Sequence, residues 1–301
     1  MILETLPIYE SWDLATSPLP TRSYLYSLKP LGIGTLLGES FTSYLARLAQ
    51  AHGISVSTLI RYKLTPRLLL CNQSPGLTEG SSLKTGFETW FKQPKLLQET
   101  LAETWLDSTE QVVQIVAVLR DLTLRQDLSY LTLLPLGSLF SLRHVFHTEQ
   151  LWCPACYQEY RETEATLYKP LLWTLDVVNV CPRHQCYLQT WCLGCHSPQV
   201  FLDLQGQMGY CSECGFWLGR SLGPGCHYTR TKNTEWDFWV AEAVGQVLAA
   251  MPLLTQMTPE LCKQRERKPQ LTAFLKRCYK LGLSPMTELV SLASTDFVSK
   301  N

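Results

Sequence analysis

Four close pairs of soft metal donors lie between residues 153 and 214. They are Cys153-Pro-Ala-Cys156, Cys181-Pro-Arg-His184, Cys192-Leu-Gly-Cys195 and Cys211-Ser-Glu-Cys214. Two residues between donors let a tight knuckle turn aim both side chains at one ion, and a closed tetrahedral zinc site needs two such pairs. Thiolates and a neutral imidazole supply the electron pairs. Pairing in chain order gives Cys153, Cys156, Cys181 and His184 with 24 residues between the halves, then Cys192, Cys195, Cys211 and Cys214 with 15 between. The second spacing is that of a zinc ribbon. Interleaved pairing is the alternative, although the seven residues from His184 to Cys192 do not demand it. Two structural zinc ions account for both sites; an iron–sulfur cluster is an alternative at the all-cysteine one. Gly215 follows Cys214 where the knuckle must bend.

Cys186 fits no knuckle spacing and is set aside as a buried bystander. His144, His147, Cys226 and His227 are also left over, and the spacing of His144 and His147 offers a substitute ligand pair. Four protein donors leave no open position for a water, so neither site is expected to be catalytic. The chain has no GxxxxGK[ST], no GxSxG and no HExxH. It is expected not to be an enzyme.

The bulk composition frames these sites. With 26 basic and 26 acidic residues the net charge is zero, so bulk neutralisation of nucleic-acid phosphate is excluded and any contact must be local. No apolar run approaches the roughly 18 residues of a membrane span. The start, MILETLPIYESWDL, is acidic and does not read as a signal peptide. A cytoplasmic location is expected, where twelve cysteines serve as ligands or buried apolar groups rather than as disulfides.

The elements that must hold the donors are mainly α-helical. Nine of the cysteines fall between Cys153 and Cys226. That clustering suggests three domains: a helical one over 1–150, tandem zinc modules with small β content over 151–232, and a helical one over 233–301. In the first, Phe41, Tyr44, Leu45, Leu48 and Ala49 form one helical face. Gly53 is placed to end that helix. Ser55 is placed to cap the next, with Leu59, Ile60 and Leu64 inward. This is the outline of a helix-turn-helix. Ser108 and Gln111 fit a capping box before the stripe Val112, Ile115, Val116 and Leu119.

A further helix is expected from Trp236 to Met251. In the tail, Leu271, Phe274, Leu275 and Cys278 share a face, Gly282 stops it, and Ser284 with Pro285 starts another helix. Residues 263–280 carry seven basic side chains against Glu266 alone. Two basic groups are candidate contacts for DNA phosphates or an acidic partner face. They are Ser57, Arg61, Lys63 and Arg67, and Lys276, Arg277 and Lys280. A solvated face is the plain alternative. Trp152, Trp173, Trp191 and Trp217 lie beside or between the donor pairs, either packed on the knuckles or exposed as partner anchors.

The segments RSYLYSLKPLGIGTLLGESFTSYLARLAQAHGISVSTLI, LTLLPL, WCPACY, LYKPLLW, VNVCPRHQCYL, CLGC and CSECG follow in order. That series resembles the TniQ family, the target-selection proteins of transposons with heteromeric transposases, including CRISPR-associated ones. The resemblance covers roughly residues 20 to 220. It joins an ESxxSYLxRLA helix to C-P-x-C and C-P-x-H fingers; the tail lacks the extended DNA-reading region of the site-specific branch. It implies a non-enzymatic adaptor between a AAA+ ATPase regulator and a target-recognition complex, of which an RNA-guided Cascade complex is one form. Target DNA would be touched within that assembly, and no membrane is involved. A stand-alone sequence-specific DNA-binding protein is the competing expectation.

Overall fold

The computed structural model describes residues 22–71, 109–137, 139–142, 145–220, 234–257 and 269–289. These residues are mainly helical with little strand. Helix α1 (Phe41–Ala51) starts where the Ser40 hydroxyl accepts the Ser43 N–H, and it buries Phe41, Tyr44, Leu45, Leu48 and Ala49. After Gly53, whose φ of +65° only glycine adopts cheaply, the Ser55 hydroxyl caps α2 (Val56–Leu59) by accepting from Thr58. The helix widens into a π turn (Ile60–Leu64) and resumes as α3 (Thr65–Cys71). Pro66 explains the widening, because it has no N–H to return to the Tyr62 carbonyl one turn back. Leu59, Ile60 and Leu64 point inward as expected.

Helix α4 (Thr109–Thr123) lays Val112, Ile115, Val116 and Leu119 on this unit, closing a core with Leu25, Leu128 and Leu131. Ser108 lies outside the described residues. Two members of that core come from far along the chain: Leu202 and Leu204. Leu204 also accepts the Ser57 N–H at 3.2 Å.

The second core gathers around the donor pairs. Helix α5 (Pro154–Glu162) begins on Cys153, and a 3-10 turn (Leu171–Thr174) buries Trp173. A minimal hairpin follows, β1 (Val180–Cys181) against β2 (Cys186–Tyr187), with Cys181 opposite Cys186. Isolated bridges such as Trp152 to Gln189 and Tyr210 to Trp217 supply the remaining β character.

Helices α6 (Thr234–Ala249), α7 (Met251–Met257) and α8 (Leu271–Leu281) pack on the same core. The helix expected from Trp236 to Met251 therefore breaks at Ala250 and restarts. The α8 face Leu271, Phe274, Leu275 and Cys278 is buried, Gly282 ends it at φ +63°, and residues 285–289 are helical again. Tyr187 donates to Asp237 at 3.2 Å, tying the hairpin to α6. No described helix is long and apolar enough to cross a membrane.

The ESxxSYLxRLA stretch joins the two cores. Glu39, fully buried, accepts from Leu31 N–H at 3.1 Å, the Ser43 hydroxyl at 3.0 Å and Arg47 at 2.5 Å. Ser43 in turn accepts the Lys169 N–H at 2.9 Å, Ser40 N–H reaches the Lys169 carbonyl, and Leu171 N–H reaches Gly38. The motif is an internal lock that fixes α1 to the strap leading into the Trp173 turn.

Candidate metal centres

The first centre is assembled by a helix start and a hairpin. Cys153 caps α5 and Cys156 sits one turn in, so both thiols face the same way. The β1–β2 hairpin brings Cys181 and His184 to meet them, with its turn held by Gln185 at φ +50°. The donor atoms of Cys153, Cys156, Cys181 and His184 all lie within 4.8 Å of one another. The second centre is made by two loop knuckles, with Cys192, Cys195, Cys211 and Cys214 likewise within 4.8 Å. The pairing runs in chain order. Gly215, with φ +69°, bends the chain directly after Cys214.

The donor sets fit a tetrahedral zinc. Zinc–sulfur bonds of about 2.3 Å put sulfurs roughly 3.8 Å apart on a tetrahedral edge. The Cys156–Cys181, Cys192–Cys214 and Cys195–Cys211 sulfurs are 3.7, 3.7 and 3.6 Å apart. His184 Nδ1 lies 3.2 Å from Cys156 Sγ and 3.6 Å from Cys153 Sγ. The eight cysteines from Cys153 to Cys214, and Cys278, are free thiols. Four protein donors per group would fill the coordination sphere of a zinc ion, which would then cross-link the chain.

The crowded thiols shift one another's ionisation. Hydrogen bonds from Cys153 and Cys156 hold the Cys181 thiol down at about 2, while bonding to Cys156 and Cys181 pushes Cys153 up. In the second group, the Ser197 hydroxyl and N–H hold Cys195 at about 6. Donors whose ionisations oppose one another are relieved together by a divalent cation, which lets every thiol ionise.

The surroundings hold residues that spacing does not reveal. Glu159, three positions after Cys156 on α5, places Oε2 3.3 Å from His184 Nε2 and also pairs with Arg183. A carboxylate behind a histidine fixes the ring and leaves its other nitrogen for the ion. The signal was present as an i, i+3 relation on a helix opened by a cysteine. Buried Gln199 donates to Cys211 Sγ at 3.2 Å and accepts the Ser212 N–H at 3.1 Å, bracing the second centre.

Cys186, the bystander by spacing, has its sulfur 3.5 Å from Cys153 Sγ and is half-buried. Its cross-strand pairing with Cys181 puts it on the same face of the hairpin, beside the four donors that lie mutually within 4.8 Å. His147 lies away from both centres: its Nε2 is 3.1 Å from the Val178 carbonyl and its Nδ1 3.6 Å from Asp176. His144, Cys226 and His227 fall outside the described residues. Trp152 and Trp173 are fully buried, whereas Trp191 is 47 % exposed beside Cys192.

The basic candidates are not brought together with the metal centres. Arg61 and Arg67 are exposed and Ser57 and Lys63 half-exposed on the stretch from α2 to α3. Lys276, Arg277 and Lys280 are exposed on α8, where Arg277 pairs with Glu288 at 3.3 Å. Residues 263–268 lie outside the described residues.

A helical unit is locked through a Glu-Ser-Ser-Arg network to a Cys/His-rich core that holds two four-donor groups. A protein-family model described as TniQ matches residues 30–188, just over half of the chain. The chain belongs to the TniQ family. No curated protein matches it.

Proposed function

We propose that this chain is a non-catalytic adaptor that links a target-recognition complex to a AAA+ ATPase regulator and, through it, to the transposase. Family membership ties it to target selection in transposition, and that match is the observation that carries the proposal. Two closed four-donor groups support it, because closed sites build surfaces instead of activating water. We assign both groups to structural zinc. The three-part division at 1–150, 151–232 and 233–301 is retained as the organisation of that adaptor, and an RNA-guided Cascade complex is one form its recognition partner would take.

Zero net charge agrees with affinity that is mostly protein–protein. Exposed aromatic anchors such as Trp191 suit a partner interface. The test is size-exclusion chromatography of the zinc-loaded protein with a AAA+ ATPase regulator and with a target-recognition complex from the same transposon. Co-elution with both, through separable surfaces, is the expected result. Binding to neither, with protection of a defined duplex by the protein alone, would establish a stand-alone DNA reader instead.

A further inference from the structure

The helical unit exposes aromatic rings and cations on the segment before α1 and along the π turn into α3. Tyr24, Tyr26 and Tyr62 are 59 %, 57 % and 62 % exposed. Their arrangement is built. Leu25, between the first two, is buried and donates its N–H to Leu122 at 2.8 Å, which holds the neighbouring tyrosines in place. The Tyr26 ring lies on His52 with centroids 4.2 Å apart and planes within 12°, and Tyr26 N–H donates to His52 Nε2 at 3.0 Å. Lys63 and Arg67 lie 5.0 and 5.3 Å from the Tyr24 ring centroid, and Lys63 also donates to its hydroxyl at 3.0 Å. Arg61 sits 5.5 Å from the Tyr62 ring.

Two further observations choose the occupant. The π turn carries Arg61, Tyr62 and Lys63 as consecutive residues, and such turns recur at functional sites. Among the described residues no acid pairs with Arg61, Lys63 or Arg67, so their charge is left for an external anion. A helix-turn-helix reads duplex DNA with the N-terminal residues of its second helix. Here that end is closed: Val56 is buried and Ser57 N–H is held by the Leu204 carbonyl. What remains open is the π turn and the tyrosines. Duplex bases offer no free faces to a tyrosine ring, and an acidic protein surface would engage the cations without needing flat exposed rings. Unpaired nucleotides engage both, bases on rings and phosphates on cations.

We propose that the surface made by the Tyr24–Lys63–Arg67 and Tyr26–His52 groups, continued around the π turn by Arg61 and Tyr62, binds a short unpaired nucleic-acid strand. Bases extend the Tyr26–His52 stack and cover Tyr62, while phosphates meet the three cations. Ring stacking and phosphate contact do not involve the sugar, so RNA and DNA strands are bound alike. This goes beyond the adaptor proposal and does not depend on which proteins the chain bridges.

The test is fluorescence anisotropy of the full-length, zinc-loaded protein alone, titrated against short labelled oligo-U, oligo-dT and a mixed-sequence duplex. Both single strands should bind at least about tenfold tighter than the duplex, because stacking on a ring contributes ~1–3 kcal/mol per base. Three phosphate contacts give a log–log salt slope of about −2. Tyr26→Ala and Tyr62→Ala should each weaken binding roughly fivefold to a hundredfold, Tyr62→Phe should keep it, and Arg61→Glu with Lys63→Glu should abolish it. Unchanged circular-dichroism melts will show that these exposed substitutions leave the fold intact. Duplex bound as tightly as single strands, tyrosine variants that bind like the parent, or binding confined to a poly-glutamate peptide would each overturn the proposal.

Discussion

The two donor groups use the same chemistry at different depths. Cys153, Cys156 and Cys181 are completely buried, and the first group sits where α5, the hairpin and the Trp173 turn meet. In the second group Cys192 is completely buried and Cys211 nearly so, but Cys195 is half-exposed and Cys214 exposed. The second group has a different reach. Its knuckles bracket the loop that carries Leu202 and Leu204 into the other core. One centre organises its surroundings by depth. The other holds a rim loop whose middle is anchored elsewhere.

The largest expected effect separates them. Cys156→Ser should remove the first ion and with it binding energy of order 10 kcal/mol that is also folding energy. That rivals the roughly 5–15 kcal/mol by which a domain is stable. The variant should lose its near-ultraviolet dichroism and hold less than two zinc per chain by metal analysis. A folded Cys156→Ser protein would erase the distinction of depth.

Burial without metal should have the next largest effect. Arg47→Met leaves Glu39 buried without its cation, at a cost of about 3–5 kcal/mol, read as a lower urea midpoint with both zinc ions retained. Burial, partly offset by Arg47, raises the Glu39 carboxyl above its usual value. The native state therefore binds more protons than the unfolded chain above pH ~4.5, and this group's contribution to stability falls as pH rises through that window. Arg47→Met should steepen that fall.

Cys214→Ser tests the rim. Losing the second ion removes binding energy of the same order, but from a loop at the rim, so the unfolding is expected to stay local and the global cost to stay below that of Arg47→Met. Zinc should fall from two to one per chain, and amide exchange should speed up in residues 196–210 and at the start of α2 while α5 stays protected. Global unfolding would show that both centres are equally deep.

The smallest effect belongs to Cys186→Ser, which should keep two zinc ions and cost under ~1 kcal/mol. Damage comparable to Cys156→Ser would make Cys186 a member of the first centre.

The donors were legible because zinc imposes local spacing that survives without knowledge of the fold. Ser55, Gly53 and Gly282 were legible for the same local reason, as backbone punctuation. What spacing missed is cross-chain. Cys186 approaches Cys153 only through the hairpin register, and Gln199 braces Cys211 only because the loop folds back. Glu39, Ser43 and Arg47 stood in the sequence only as letters of the ESxxSYLxRLA pattern and prove to be a junction with Lys169. The tyrosines stayed hidden because Tyr24 and Tyr26 belong to a segment that only tertiary packing brings against Lys63, Arg67 and His52.

Leu202 and Leu204 have a consequence for anyone who divides this chain. They are plugs supplied late in the sequence to a socket formed early in it. A fragment that stops before them presents an open greasy seat and frees the Ser57 N–H, inviting aggregation or a foreign plug. Grafting the early helices from one relative onto the metal-rich half of another will succeed only where plug and socket match in volume. Truncations and chimeras are safest when they carry residues 196–210 together with the helices those leucines fill.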